Sequence, residues 1–138
     1  MSGLVLTVRI VLVRIGFVVG EVLPLRRRVV LATAHSARLT GNLAAIGAGL
    51  AARTPDVSVV TLAHQPARGL RGRVVAAAHA VVAGFYLATS RVFIVDDYYF
   101  PIYVVRPRPG TTIVQTWHAC GAFKKVGYSV LDKSFGMD

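Results

Sequence analysis

Residues 115–125 read QTWHACGAFKK and bring together side chains that could act on an anionic substrate. His118 directly follows a run rich in β-branched residues, so a strand end would present its imidazole to a cleft. Histidine has an ordinary pKa of about 6.5 and can accept a proton from an attacking hydroxyl at neutral pH. Lys124 and Lys125 follow closely and suit a negatively charged substrate. The segment therefore predicts a general base beside two cations, and the alternative is a histidine hydrogen-bonded at a strand end.

Two other kinds of chemistry are less well supported by the same segment. Cys120 is the single cysteine of the chain, so an internal disulfide is excluded. It would be a nucleophile only if the nearby lysines favoured its thiolate, and a small buried thiol is the preferred interpretation. The four histidines are far apart in sequence and lack paired spacing, so we expect no metal site. Neither a G-x-G-x-x-G nor a P-loop pattern is present, and no cofactor is expected.

Asp96 and Asp97 are the second candidate for chemistry. Two adjacent carboxylates after a buried strand could bind a cation or orient a hydroxyl. The alternative is that they cap a helix and accept hydrogen bonds from loop amides. The residue types alone leave both interpretations open.

The pattern from residue 28 onward predicts the elements that must position these side chains. Short β-branched runs alternate with helix-forming stretches, which is typical of βαβ units and a parallel sheet in an α/β, Rossmann-like domain. Strands are predicted at 28–34, 57–63, 91–95 and 111–116, and helices at 43–53 and 71–89, the second with Gly84 as a weak point or break. Parallel strands end at one edge, so His35, Asp96, Asp97 and His118 should converge there.

The first 27 residues form a hydrophobic and basic segment of their own. Residues 4–23 are long enough to cross a bilayer, but Arg9, Arg14 and Glu21 interrupt them and make a simple span doubtful. Two interpretations stay open. The segment could lie on a membrane surface or on a protein partner, with the arginines that follow it near anionic headgroups. Alternatively, it packs on the domain as a first element, with its arginines reaching water.

The charge of the chain predicts an anionic partner. Sixteen lysines and arginines stand against six acidic residues, giving a formal net charge of +10. Phosphate-rich polymers, nucleotides, nucleic acid and an acidic membrane surface all fit this charge. A groove-binding helix and an RNA-binding motif are not recognisable, so nucleic acid is the least favoured partner.

The residues together resemble a known family. RVFIVDDYYFP at 91–101, a basic turn, TWH ending at His118 and KKVG at 124–127 are similar to the amino-terminal half of the CDP-glycerol glycerophosphotransferases, which build wall teichoic acids and related polymers. The resemblance implies that residues 28–138 form the Rossmann-like N-terminal domain of a GT-B glycosyltransferase-like architecture. The second, nucleotide-binding domain of that architecture would be absent from this chain.

The resemblance also implies a reaction and a location. The family transfers glycerol phosphate from CDP-glycerol to a hydroxyl of an anionic polyol-phosphate polymer at the cytoplasmic face of the membrane, where this chain would be peripheral. His118 would be the general base, with Asp96, Asp97, Lys124 and Lys125 on the acceptor side. Without a second domain or chain to complete the cleft, we expect the isolated chain to be inactive. The alternative is a non-catalytic α/β domain that binds a polyanion or a membrane.

Overall fold

A computed structural model describes residues 3–116, in which a parallel sheet has helices on both faces. The elements, in chain order, are helix α1 (Gly3–Glu21), strand β1 (Arg26–Thr33), helix α2 (Gly41–Arg53), strand β2 (Ser58–Ala63), helix α3 (Gly69–Thr89), strand β3 (Ser90–Val95), a short 3-10 helix (Phe100–Tyr103) and strand β4 (Thr112–Gln115). Each predicted strand is present, with ends shifted by one or two residues.

The four strands are all parallel and lie in the order β2-β1-β3-β4. In the centre of the sheet Val30 of β1 is opposite Val60 of β2 and Phe93 of β3. The second half of β1 is buried on every side, which is why it reads as an uninterrupted apolar run rather than an alternating one. The predicted α/β class is confirmed.

Alternate residues of the central strands fill two separate cores, one on each face of the sheet. The face under α1 and α3 holds the larger cluster, which includes Phe17, Val30, Leu87, Phe93 and Tyr99. The opposite face packs against α2 through Leu31, Leu43 and Ile94, joined by partly buried neighbours of α2. The sheet is therefore the middle layer of three.

Helices α1 and α3 pack backbone to backbone through glycines. A β-carbon on Gly16 would collide with the carbonyl of Val81, and one on Gly84 would collide with the carbonyl of Val13. Helix α3 runs without interruption from Gly69 to Thr89, so the predicted break at Gly84 is wrong. The absence of a side chain at Gly84 lets the backbone of α1 approach α3 closely.

Arg108 joins three parts of the chain at the amino edge of the sheet. Its guanidinium donates hydrogen bonds to the carbonyl oxygens of Leu23 at 2.8 Å and Ala88 at 2.9 Å. The first carbonyl lies between α1 and β1, and the second lies in the last turn of α3. The arginine therefore ties the ends of both packed helices to the turn that precedes β4.

Candidate functional site

The order of the strands creates a switch point between β1 and β3. After β1 the chain passes through α2 to β2 on one side, and after β3 it passes to β4 on the other side. In open α/β sheets ligands bind at the carboxyl ends of the strands at such a point, because the two connections diverge and leave a crevice. The residues that follow β1 and β3 are therefore the first place to look for a site.

His35 and Asp97 meet at this switch point. His35 lies two residues after β1, and Asp97 lies two residues after β3. The Nε2 atom of His35 is 3.4 Å from the Oδ2 atom of Asp97, and the side chains are 57% and 31% exposed. At this distance the carboxylate can orient the imidazole ring, and more than half of the His35 side chain stays exposed to a ligand.

Hydrogen bonds between residues close in sequence stabilise the loops that carry His35 and Asp97. The backbone N–H of His35 donates to Oγ1 of Thr33 at 3.3 Å, and the N–H of Tyr98 donates to Oδ1 of Asp97 at 2.7 Å. Asp97 thus accepts from a loop amide, as the structural interpretation of the carboxylates expected, and also faces His35. Asp96 lies at the same strand end and is half-buried.

The end of β4 lies beside the end of β3. The backbone N–H and the hydroxyl of Thr116 both donate to the carbonyl oxygen of Val95, at 2.7 and 3.2 Å. This contact fixes the position from which the chain continues toward His118. The predicted base His118 and the predicted substrate-binding lysines, Lys124 and Lys125, lie outside the described residues.

A second group of polar residues lies under α1 and α3, and sequence reasoning missed it. The rings of His64 and His79 stack with their centroids 4.7 Å apart, although the sequence had indicated well-separated histidines. The hydroxyl of Tyr99 is 3.5 Å from Nε2 of His79. Arg9 of α1 places its guanidinium 4.7 Å from the centre of the Phe100 ring. The sequence contained one indication of this group. His64 is the first residue after β2 and His35 is the second residue after β1, so both histidines lie at strand ends.

These residues line a pocket of about 210 Å³, which we call the His64 pocket. Its polar lining consists of Arg9, Arg73, His64, His79 and the hydroxyl end of Tyr99. Its remaining walls are apolar or small, among them Val5, Ala34, Pro66, Ala76, Phe100 and Pro101. No acidic side chain lines this pocket within the described part of the chain.

Burial and positive charge keep both histidines of the pocket neutral. The pKa of His79 is lowered to about 4, mainly by desolvation and also by the Coulomb effects of His64 and Arg9. A hydrogen bond to the backbone of Leu62 raises this pKa and offsets part of the shift. Desolvation and the charge of Arg9 lower the pKa of His64. Burial raises the pKa of Tyr99, so its hydroxyl stays protonated. Arg9 therefore acts electrostatically on both rings.

Two further properties of residues 3–116 bear on ligands. Within this range, no three His, Cys, Asp or Glu side chains come together as a metal site would require. Helices α1 and α3 are each long and apolar enough to cross a membrane. Both are nevertheless packed on the sheet, and Val13 and Phe17 of α1 are buried. The outer face of α1 is apolar and exposed, and it carries Leu4, Leu6, Val8, Val11, Ile15, Val18 and Val19.

The model of the family described as CDP-Glycerol:Poly(glycerophosphate) glycerophosphotransferase matches residues 17–138. The chain belongs to this family. The matched range includes all four strands, the His35–Asp97 pair and the segment at 115–125. The resemblance that the sequence motifs indicated is confirmed.

Several similar proteins are named as primases or polymerases of teichoic acid. A teichoic acid ribitol-phosphate primase of Bacillus spizizenii is 41% identical over 109 residues, which is 79% of this chain. A teichoic acid ribitol-phosphate polymerase of Staphylococcus aureus is 46% identical over 52 residues, and a teichoic acid glycerol-phosphate primase of B. spizizenii is 41% identical over 49 residues. The matched stretches cover 28%, 10% and 13% of those proteins, so this chain corresponds to a minor part of each.

Proposed function

We propose that this chain forms the acceptor-side half of a polyol-phosphate transferase of teichoic acid synthesis. The donor is CDP-glycerol, and the acceptor is a hydroxyl of an anionic polyol-phosphate polymer. The observation that supports this most strongly is the family match, because it runs through the whole sheet and through the segment that contains His118. The switch point between β1 and β3 supports it from the topology, because open α/β sheets bind ligands at the carboxyl ends of the strands at such a point.

In the proposed reaction an acceptor hydroxyl oxygen attacks the phosphorus atom that carries the glycerol. The new P–O bond forms to the acceptor, and the P–O bond to the bridging oxygen of the donor breaks. CMP leaves with that oxygen and its electron pair. His118 accepts the proton of the attacking hydroxyl, which makes the oxygen a better nucleophile.

The other predicted residues act on charge and orientation in this proposal. Lys124 and Lys125 bind the anionic backbone of the acceptor, since ammonium groups attract phosphate oxygens. Asp96 and Asp97 support the acceptor side. Asp97 does so through its contact with His35, which fixes one imidazole of the crevice. His35 is thereby a further candidate to contact the acceptor.

Binding of the donor requires a second domain in this proposal. The cleft of a GT-B-type enzyme lies between two Rossmann-like domains, and this chain would contribute one of them. The other domain would come from a longer protein or from a separate chain. We expect no turnover from residues 1–138 alone.

The proposal is tested with a chimera. This chain replaces the corresponding region of the Bacillus spizizenii ribitol-phosphate primase, to which it is 41% identical. CMP release is measured with a prenyl-linked acceptor and with CDP-glycerol, and in parallel with the CDP-activated ribitol phosphate. Turnover with either donor supports the acceptor-side role of this chain. The donor that is used reports on the second domain, which in this chimera comes from the primase.

Variants of the chimera test the proposed base. His118→Ala should lower turnover by about 10²–10⁴-fold, which is the usual contribution of a general base. Cys120→Ser is the matched control in the same segment and should retain turnover. Undiminished CMP release from His118→Ala would remove His118 from the mechanism. A folded chimera without turnover on either donor would contradict the proposed function.

We also propose a peripheral location on the cytoplasmic side of the membrane. The exposed apolar face of α1 and the exposed Arg26 and Arg27 that follow it match the chemistry of an anionic bilayer surface. Sedimentation with phosphatidylglycerol vesicles should exceed that with phosphatidylcholine vesicles and should weaken in high salt. A Val11→Ser and Val18→Ser double variant should bind less, whereas Val59→Ser on strand β2 should not. Equal binding by all variants would contradict this location.

The alternative function, a non-catalytic domain that binds a polyanion or a membrane, is supported by the same surface. It predicts vesicle or polymer binding together with a chimera that folds and does not turn over. The chimera assay therefore separates the two functions.

A further inference from the structure

The His64 pocket has the composition of an anion site. Two arginines, two neutral imidazoles and one phenol hydroxyl supply its polar groups, and its other walls are apolar or small. Guanidinium groups bind phosphate oxygens through charge-assisted hydrogen bonds. Neutral imidazoles and a hydroxyl add donors without adding a competing negative charge.

The volume of the pocket limits the size of the ligand. At about 210 Å³ it is smaller than the roughly 300–1,000 Å³ of most sites that hold a whole small molecule. A complete nucleoside diphosphate therefore does not fit, whereas one phosphate with a short carbon chain does. The apolar walls, such as Val5 and Pro101, suit the carbon part of such a group.

The location of the pocket connects it to the crevice. Its walls include Ala34, the first residue after β1, His64, the first residue after β2, and Tyr99, four residues after β3. All three strand ends belong to the carboxyl edge of the sheet. The pocket thus lies at the same edge of the sheet as the His35–Asp97 pair, but under α1 and α3. A long ligand bound along this edge could place one of its charged groups in the pocket.

We propose that the His64 pocket binds a single phosphoester group of a polyol phosphate, held between Arg9 and Arg73. The assignment of that group to the acceptor polymer rests on the proposed function. The binding of a phosphoester itself rests on the lining of the pocket.

The chemistry predicts a spectroscopic signature. Burial lowers the pKa of His64 in the free protein, and the charge of Arg9 lowers it further. A bound phosphate anion would offset that charge, and it would also favour the charged imidazole of a nearby histidine. The pKa of His64 should therefore rise on binding, although burial continues to lower it. The ring resonances of His64 followed by NMR through a pH titration report this change at the residue itself.

The test uses the full 138-residue chain and two probes. One probe is sn-glycerol 3-phosphate, followed by calorimetry and by the histidine resonances. The other is a phosphatidylglycerol vesicle, compared with a phosphatidylcholine vesicle, because the phosphatidylglycerol headgroup also carries a glycerol phosphate, there as a phosphodiester. Arg73→Gln is the main variant, since the Arg73 side chain is exposed and its loss should leave the fold intact. Arg9→Gln is second, because it also removes the contact with the Phe100 ring.

Arg71→Gln is the matched control. Arg71 is an exposed arginine on the same helix, two positions away and therefore on a different side, and it does not line the pocket. We expect Arg73→Gln to weaken binding of sn-glycerol 3-phosphate about tenfold, the usual effect of losing a charged hydrogen bond. Arg71→Gln should change it by about twofold or less.

The outcomes are distinct. Selective loss in Arg73→Gln, with a rise in the pKa of His64 on binding, supports the pocket. Equal loss in Arg71→Gln, or no binding of either probe, overturns it. Binding of vesicles alone, lost in Arg73→Gln and kept in Arg71→Gln, supports a phosphoester pocket and overturns its assignment to the acceptor. An inactive chimera that still binds sn-glycerol 3-phosphate contradicts the proposed reaction and leaves the pocket supported.

Discussion

Replacing Gly84 with alanine would place a methyl group inside the contact between α1 and α3. The new β-carbon would collide with the carbonyl oxygen of Val13, and it would lie 2.9 Å from the backbone nitrogen of Phe17 and 3.0 Å from the carbonyl carbon of Val13. All three are backbone atoms, so no side-chain rotation relieves the collision. Helix α1 must move away by on the order of 1 Å to restore ordinary van der Waals distances.

Two opposing effects determine how much Gly84→Ala changes the free energy of unfolding. Alanine is favoured over glycine inside a helix by about 1 kcal/mol. Overpacking costs about 1–3 kcal/mol where side chains can adjust, and it costs more where, as here, two helices must separate. Separation also loosens the packing of Val13 and Phe17, which are buried. We expect a net loss of about 2 kcal/mol in the free energy of unfolding, or about 8 °C in Tm at roughly 4 °C per kcal/mol for a domain of this size.

Urea and thermal unfolding, followed by circular dichroism, measure this loss. Gly49→Ala in α2 is the matched control, because its new β-carbon meets only the flexible guanidinium end of Arg53, at 3.4 Å. It should raise stability by up to about 1 kcal/mol. Gly16→Ala, at the same helix contact, should behave like Gly84→Ala. If Gly84→Ala were as stable as Gly49→Ala, the helices would not pack through their backbones as described.

Two more predictions concern the pocket and the amino edge. Stability should fall as the pH is lowered from about 6.5 to about 4, because the pKa of His79 is about 4 in the folded chain and unfolding lets its imidazole take up a proton. His79→Gln should flatten that part of the stability profile, and an unchanged slope would contradict the burial of His79. Arg108→Gln should cost about 2 kcal/mol in urea unfolding, because the carbonyls of Leu23 and Ala88 lose charged hydrogen bonds. Exposed Arg91→Gln is its control, and equal stability of the two variants would show that Arg108 does not join the helices.

The fold was predictable because its strands differ sharply from its helices in sequence. The runs RVVLAT in β1 and RVFIV in β3 are rich in β-branched residues, so these strands and their parallel arrangement followed from the βαβ pattern. The pattern also placed His35 and Asp97 at one edge of the sheet. The strand order that makes β1 and β3 neighbours, and so brings the two side chains together, was not predicted. The roles of His118, Lys124 and Lys125 stay predictions.

The helix contact and the His64 pocket were not predictable from local pattern. A weak point or break was predicted at Gly84 because helix propensity is a property of a single helix. The contact that requires a glycine there is made with α1, about seventy residues earlier in the chain. His64 and His79 are separated by a loop and half of a helix, and spacing alone does not show that they stack. Both features depend on how α1 lies on α3, and the sequence left that position open.

The same helix contact also determines the geometry of the pocket. Arg9 reaches the pocket from α1. His64 follows β2, Arg73 and His79 belong to α3, and Tyr99 lies in the segment after β3. The contacts at Gly16, Gly20 and Gly84 fix α1 close to α3, because a side chain at any of these positions would hold the helices apart. Arg9 also lies before residue 17, where the family match begins. The wall of the pocket that carries Arg9 is therefore supplied by a part of the chain for which the family match gives no guidance, and its effect on ligand binding must be measured on this protein.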